Sequence, residues 1–209
     1  MQEIFTLLLS GVLAASVVSF LVMGLRQLCR TNSLARKAHG MEFHFSPSDM
    51  FDVPRRYGGF ALISNGHGPR AYNVTHGHIC SAPVRAFDFR YEVGHATRRV
   101  TRHYAVIVVK VPRALGQVVM WNVDDDQAPP MLSSFGSRSM GKWICRGDME
   151  LASAVAEACS PLVDQCISAE VRNDTIMLCL PIVKRRQDYT LSMGHIDSIL
   201  GRIEEYCAK

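Results

Sequence analysis

The chain has no Cys-x-x-Cys pair among its seven cysteines, no His-Glu-x-x-His, no Walker-type glycine loop and no Asp-x-Asp-x-Asp-Gly run. Each absence removes a class of chemistry. Without paired cysteines there is no zinc knuckle or thioredoxin-type redox motif, and an odd number does not suit a complete disulfide framework. Most of the cysteines read as small buried apolar residues in a reducing space. Gly66-His67-Gly68 is followed by Pro69 rather than a helix start, so it forms neither a Rossmann nor a P-loop turn. Asp124-Asp125-Asp126 lacks the calcium-loop spacing and reads as a solvated loop. No Ser-His-Asp or Cys-His spacing stands out in a chain with eight His and seven Cys. No cofactor is implied.

Charge is missing altogether from Ile4 to Leu25, "IFTLLLSGVLAASVVSFLVMGL". As a helix this run spans roughly 33 Å, enough for a bilayer core. It reads as a transmembrane helix at 4–25, after a short N-terminal end at 1–3. The competing reading is a cleaved signal peptide, with Ala14, Ala15 and Ser16 imitating a cleavage region. Its basic start is absent, and the apolar run continues past those residues. The basic residues lie on the other flank, at Arg26, Arg30, Arg36 and Lys37. By the positive-inside bias these four orient the span, with the N-terminus outside and the C-terminal domain cytoplasmic. The protein is therefore expected in the cell membrane as a single-pass protein contacting the bilayer through 4–25. With that flank and Glu3 set aside the chain is nearly neutral, so the formal charge of +4 is no nucleic-acid footprint. Arg98, Arg99 and Arg102, and Lys184, Arg185 and Arg186, form only local basic clusters at turn-like positions, and no RNA-binding aromatic motif accompanies them.

Beyond the span, 26–40 is polar and basic and reads as a juxtamembrane linker. One domain at 41–209 is the default for the remaining length. Short apolar runs from Gly58, Ala71, Val84, Arg99 and Gly116 suggest a β-meander over 58–123. The clearest strand has Phe87, Phe89, Tyr91 and Val93 alternating with Asp88, Arg90 and Glu92, the pattern of one buried and one wet face. It should pair with "HYAVIVVKV" as a central hairpin, the turn lying at Gly94 to Arg98. An acidic, then Pro- and Ser-rich loop follows at 124–139. The rest, 142–207, reads β-α-β-β-α. Asp148 caps a helix to about Cys159, Asn173-Asp174 forms a hairpin turn, and a final helix runs from about Thr190 to Cys207. The expected fold is α+β: one N-terminal transmembrane helix, then an antiparallel β-rich domain with two helices in its C-terminal part.

"NVTHG" and "APVRAFDFRYEVG", with Gly40-Met41-Glu42-Phe43 after the span, resemble a group of uncharacterised bacterial, planctomycete-type single-pass membrane-anchored proteins. The resemblance covers the anchor and the first half of the domain. It implies the architecture and carries no catalytic residue.

The stretch Asn73 to Cys80 holds both a glycan sequon, Asn73-Val74-Thr75, and two same-face strand histidines, His76 and His78. A cytoplasmic domain silences the sequon. With His103 from a nearby strand the histidines could form an open three-histidine zinc site, the basis for a membrane-bound metal-dependent hydrolase. The simpler account is an ordinary strand whose histidines sit at a rim. Asp88, Arg90 and Glu92 could act as carboxylates with an arginine clamp, although salt bridging along or across strands suffices. The favoured expectation is a non-enzymatic, membrane-tethered cytoplasmic binding or scaffold domain with a protein partner, no catalytic residue and no metal.

Overall fold

The apolar run and the basic stretch after it form one helix. The computed structural model of the chain describes residues 2–94, 98–125, 136–165, 167–182 and 189–207. Helix α1 (Gln2–Gly40) buries no residue of its apolar half, Ile4 to Leu25, and is long and apolar enough to cross a membrane. The expected linker at 26–40 is instead its last turns. The reason is packing: Leu34 and Ala38, four residues apart, share one helix face, and both are buried in the main core. Burying one leucine contributes about 2 kcal/mol, enough to order a polar, basic segment that composition alone would leave frayed. The helix stops where Glu42 turns left-handed (φ 59) and Phe43 N–H closes on the Ala38 carbonyl at 2.9 Å.

The fold is α+β, and the described residues form nine antiparallel strands in one sheet. In chain order they are β1 (His44–Ser48), β2 (His67–Ile79), β3 (Ala82–Val93), β4 (Val100–Lys110), β5 (Gln117–Asn122), β6 (Arg138–Met140), β7 (Trp143–Gly147), β8 (Ser168–Arg172) and β9 (Thr175–Pro181). Across the sheet they run β1-β2-β3-β4-β9-β8-β5-β7-β6. The expected meander over 58–123 holds only for β2-β3-β4. The hairpin β8-β9 inserts between β4 and β5, because β4 pairs with β9 and β5 with β8. The first run of that meander, from Gly58, is no strand. It turns into the short helix α3 (Ala61–Ser64), following α2 (Val53–Arg56), and adjacent Leu62 and Ile63 are both buried, which period-2 strand geometry does not give. β1 is an edge strand that the sequence hid behind Pro47, a residue edges tolerate.

Both faces of the central strands are covered. Phe87, Phe89 and Tyr91 pack with Tyr104 against α2 and α3, while Ala86 and its cross-strand neighbour Ile107 belong to the larger core. That core also takes the end of α1, α4 (Met149–Ala158), α5 (Tyr189–Met193) and α6 (Ile196–Cys207). The wet face expected on β3 is therefore half wrong, since Asp88 is fully buried. Asp148 caps α4 as expected, accepting from Glu150 and Leu151 N–H at 3.0 and 3.1 Å. Asn173 (φ 55) turns the β8-β9 hairpin. The single final helix is broken at Gly194-His195 into α5 and α6, and a 3-10 helix (Ser160–Gln165) follows α4. Most of the loop at 124–139, part of the turn at Gly94 to Arg98, Cys166 and the Lys184–Arg186 cluster lie outside the described residues.

A chain beginning at Gly40 lacks the buried Leu34 and Ala38. It should aggregate or unfold without a cooperative transition, whereas a chain beginning at Arg26 should be soluble and unfold cooperatively. Size-exclusion chromatography and urea melts of the two compare them directly.

Candidate functional site

Strand β2 carries a bulge that creates the junction with α1. Tyr72 faces Asp88 and Thr75 faces Ala86, so Asn73 and Val74 together oppose Phe87. Asn73 adopts a left-handed conformation (φ 52), which asparagine tolerates better than most residues. Its side-chain amide donates to Asp88 Oδ2 at 2.8 Å, and its carbonyl oxygen accepts from Thr31 Oγ1 at 2.9 Å. Tyr189 of α5 donates to the Asn73 backbone carbonyl at 2.8 Å and lies 2.8 Å from Thr75 Oγ1. Asp88, at the centre, receives a two-pronged guanidinium: Arg30 Nε to Oδ2 at 2.8 Å and Nη2 to Oδ1 at 2.6 Å. Asn73 is buried and committed to this network, so the sequon presents no free amide.

This arrangement adds to two expectations. Arg30, taken with Arg26, Arg36 and Lys37 as an orienting charge, is also the half-buried partner of Asp88, whereas the other three are exposed. Asp88, Arg90 and Glu92 do not act together: Asp88 turns to α1, Arg90 is exposed, and Glu92 lies 3.4 Å from Arg99. Beside the pair, burial and then the Asp88 charge push the Tyr72 phenol up to about 12. Asp125 is likewise no solvated residue, being buried and accepting from Tyr104 at 3.3 Å, while Asp126 lies outside the described residues.

The three histidines are not brought together. His76 faces Arg85, Arg85 faces Val108, and His103 lies about 17 Å further along β4. His103 also belongs to the opposite sheet face, since it pairs with Arg90 in line with Asp88. Among the described residues no group of three or more His, Cys, Asp or Glu is placed to hold a metal ion. His76 instead stacks on His44 with ring centroids 5.2 Å apart and meets the edge of Phe51. Burial, then the neighbouring His44 and Arg85, lower its pKa and keep the ring neutral near pH 7. Gly77, between the two histidines, has a packing reason: a Cβ there would come within 2.6 Å of the Phe43 ring.

His76 and His78 open instead on a cleft of about 830 Å³ between α2-α3 and one end of the sheet. Its charged residues are mostly cationic, with Arg56, Arg85, Lys110 and Arg172 against Glu42 and Asp174. Arg85 lies 4.0 Å over the Phe51 ring and donates to Tyr57 OH at 2.6 Å. Its Nε and the His76 Nδ1 are buried without a hydrogen-bond partner among the described residues, although both side chains belong to the cleft's lining. Arg172 donates to the Gly59 carbonyl, and Lys110 pairs with Asp174 at 3.1 Å. These side chains come from separate elements, so no sequence spacing announced them.

The segment that follows Phe60, a residue of the cleft's lining, is held by a buried acid. Glu170 of β8 accepts from Ala61 N–H at 2.7 Å, tying α3 to the sheet. Burial pushes its carboxyl up to about 7, against the pull of the Ala61 and Leu62 N–H groups and Arg172. The folded state therefore favours the neutral acid. Its stability contribution is full below the ordinary value of 4.5 and is lost as pH rises through about 7.

No protein-family model matches the chain, and no curated protein matches it. Among solved structures, the mycobacterial trehalose monomycolate transport factor A, TtfA, is similar with a TM-score of 0.54 and 12% identity, covering 84% of this chain and 92% of that chain. At that identity the likeness is one of fold.

Glu170→Gln keeps an acceptor for Ala61 and removes the charge. It should exceed the parent in stability by on the order of 1–3 kcal/mol at pH 8, with the gap closing towards pH 5, in urea melts across that range. At the junction, Arg30→Met leaves Asp88 buried and unpaired and should cost about 3–5 kcal/mol. Arg30→Met with Asp88→Leu should cost less than the two single losses added together, because neither charge is stranded.

Proposed function

We propose that the protein is a membrane-tethered, non-enzymatic binding or scaffold domain, with its sheet on the cytoplasmic side and its cationic cleft receiving an acidic segment of a protein partner. The apolar helix and the fold fit a membrane-associated protein. The observation that carries the reading is the continuity of α1, whose exposed apolar half runs without a break into turns packed on the sheet. Such a helix holds the domain at the bilayer in a fixed pose. The cleft then opens near Met41 and Glu42, about 22 Å along the helix from Arg26 and clear of the membrane surface. Its cations suit carboxylates better than an apolar ligand. The fold shared with a protein named as a transport factor supports a non-catalytic component of a membrane assembly. The hydrolase alternative loses the geometry it rested on, since His103 lies on the other face from His76 and His78. Asn73 and Asp88 join α1 to the sheet.

Affinity capture of the full-length chain from mild detergent tests this directly. Arg56→Glu with Lys110→Glu, both exposed, should reduce the recovered partner about tenfold while the fold is kept. Undiminished recovery would move the binding surface elsewhere. A fluorescent reporter fused after Lys209 should glow, and a phosphatase active only in the periplasm should be silent there.

A further inference from the structure

The way α1 lies on β2 determines which end of the sheet meets the bilayer. Thr31 bonds to Asn73, and after the helix ends Phe43 packs on Gly77 while His44 pairs with His76. From 31 to 40 the helix advances about 13 Å, and from 73 to 77 the strand advances about 13 Å, so the two run side by side in the same sense. Backwards from Thr31, the helix reaches Leu25 in about 9 Å, and β2 reaches Arg70 in about 10 Å. Arg70 and Arg90 are therefore level with the last exposed apolar residues of α1, Leu25 and Leu28, and the strand tips at His67, Val93 and Val100 reach three residues, about 10 Å, further towards the apolar span.

That end of the sheet is strongly basic. Arg70 and Arg90 sit directly opposite each other on β2 and β3, a like-charge pair that destabilises a sheet unless an anion joins it. No described acid pairs with either, and Asp88, two residues from Arg90, is committed to Arg30. Arg102 opposes Tyr91 on the next strand, and Arg98 is exposed just before β4. Arg26 of α1 is exposed at the same level. Amid these cations Val100 is 51% exposed, an apolar side chain at the tip with Val93 as its cross-strand partner. Cations around an exposed aliphatic residue, level with the end of an apolar helix, match an anionic membrane surface, where the aliphatic group enters the interface and the guanidinium groups take phosphates.

We propose that this end of the sheet is a second membrane contact, in which Arg70, Arg90, Arg98 and Arg102 bind the phosphates of anionic lipids in the leaflet that α1 enters. The proposal rests on the tether reading and adds a lipid class to it. Lipid phosphates relieve the Arg70-Arg90 repulsion, and the contact fixes the tilt of the domain at a second point.

The test uses the full chain in nanodiscs of phosphatidylcholine alone or of phosphatidylcholine with phosphatidylglycerol, followed by hydrogen exchange. Amides of residues 67–70 and 98–102 should exchange at least about tenfold more slowly in the anionic discs, and the protection should vanish at high salt. Arg70→Gln with Arg90→Gln and Arg98→Gln should lose it in the same discs while α1 stays protected. Equal exchange of the parent chain in both lipids, with α1 protected, overturns the proposal and leaves the tether reading standing. So does protection that survives high salt or the triple variant. Protection that arises in neutral discs only after a captured acidic protein is added also overturns it, assigning the surface to protein. A chain recovered outside the discs overturns both readings.

Discussion

Arg30 and Asp88 are fifty-eight positions apart, on a helix that begins in an apolar span and on the third strand of the sheet. Two charges removed from water cost several kcal/mol each, and only close, two-pronged geometry with further hydrogen bonds offsets that. The structure meets the condition, since Asn73 gives Asp88 a third donor and Thr31 satisfies the far end of Asn73. Such a pair adds little net stability over a well-packed apolar substitute, but it tolerates few alternative positions. A one-turn slip of α1 would strand both charges. The pair therefore selects one docking register among the several that Leu34 and Ala38 alone would allow.

That constraint explains which parts of the fold were legible. The exposed apolar half of α1, the alternation on β3, the Asp148 cap and the Asn173 turn depend on neighbours in sequence, and their residue types carry the signal. The second role of Arg30 was hidden because an orienting flank charge and an ion-pair partner use the same residue, and sequence order offers only the local explanation. Asp88 was placed on a wet face for the same reason: period-2 alternation marks two faces, but not whether a helix covers the polar one. Leu34 and Ala38 gave a short apolar stripe in 26–40, too weak against five basic or polar neighbours to override composition.

The cleft was illegible on different grounds. Arg85, Lys110 and Arg172 sit singly in the sequence and Arg56 follows Arg55, each beside residues that account for it locally. Only the insertion of β8-β9 beside β4 brings Arg172 and Asp174 to the same end as Arg85 and His76. A strand order set by long-range pairing is the property that local pattern reports least.

Asn73 links the two regions. Because side chains alternate along a strand, one extra residue exchanges the faces of everything beyond it. Before the bulge, Tyr72 shares the α1 face with Asp88; after it, Thr75 takes that face and His76 turns to the cleft beside Arg85. Without the extra residue, His76 and His78 would point towards α1 and Thr75 would lose its bond to Tyr189. The left-handed backbone at Asn73 thus sets two features together. It aims the side-chain amide at Asp88, which fixes the helix, and it rotates the rest of β2 so that the histidines line the cleft. A substitution there that disfavours φ near 52 should act on both ends of the strand, since the docking register of α1 and the orientation of His76 depend on the same backbone turn.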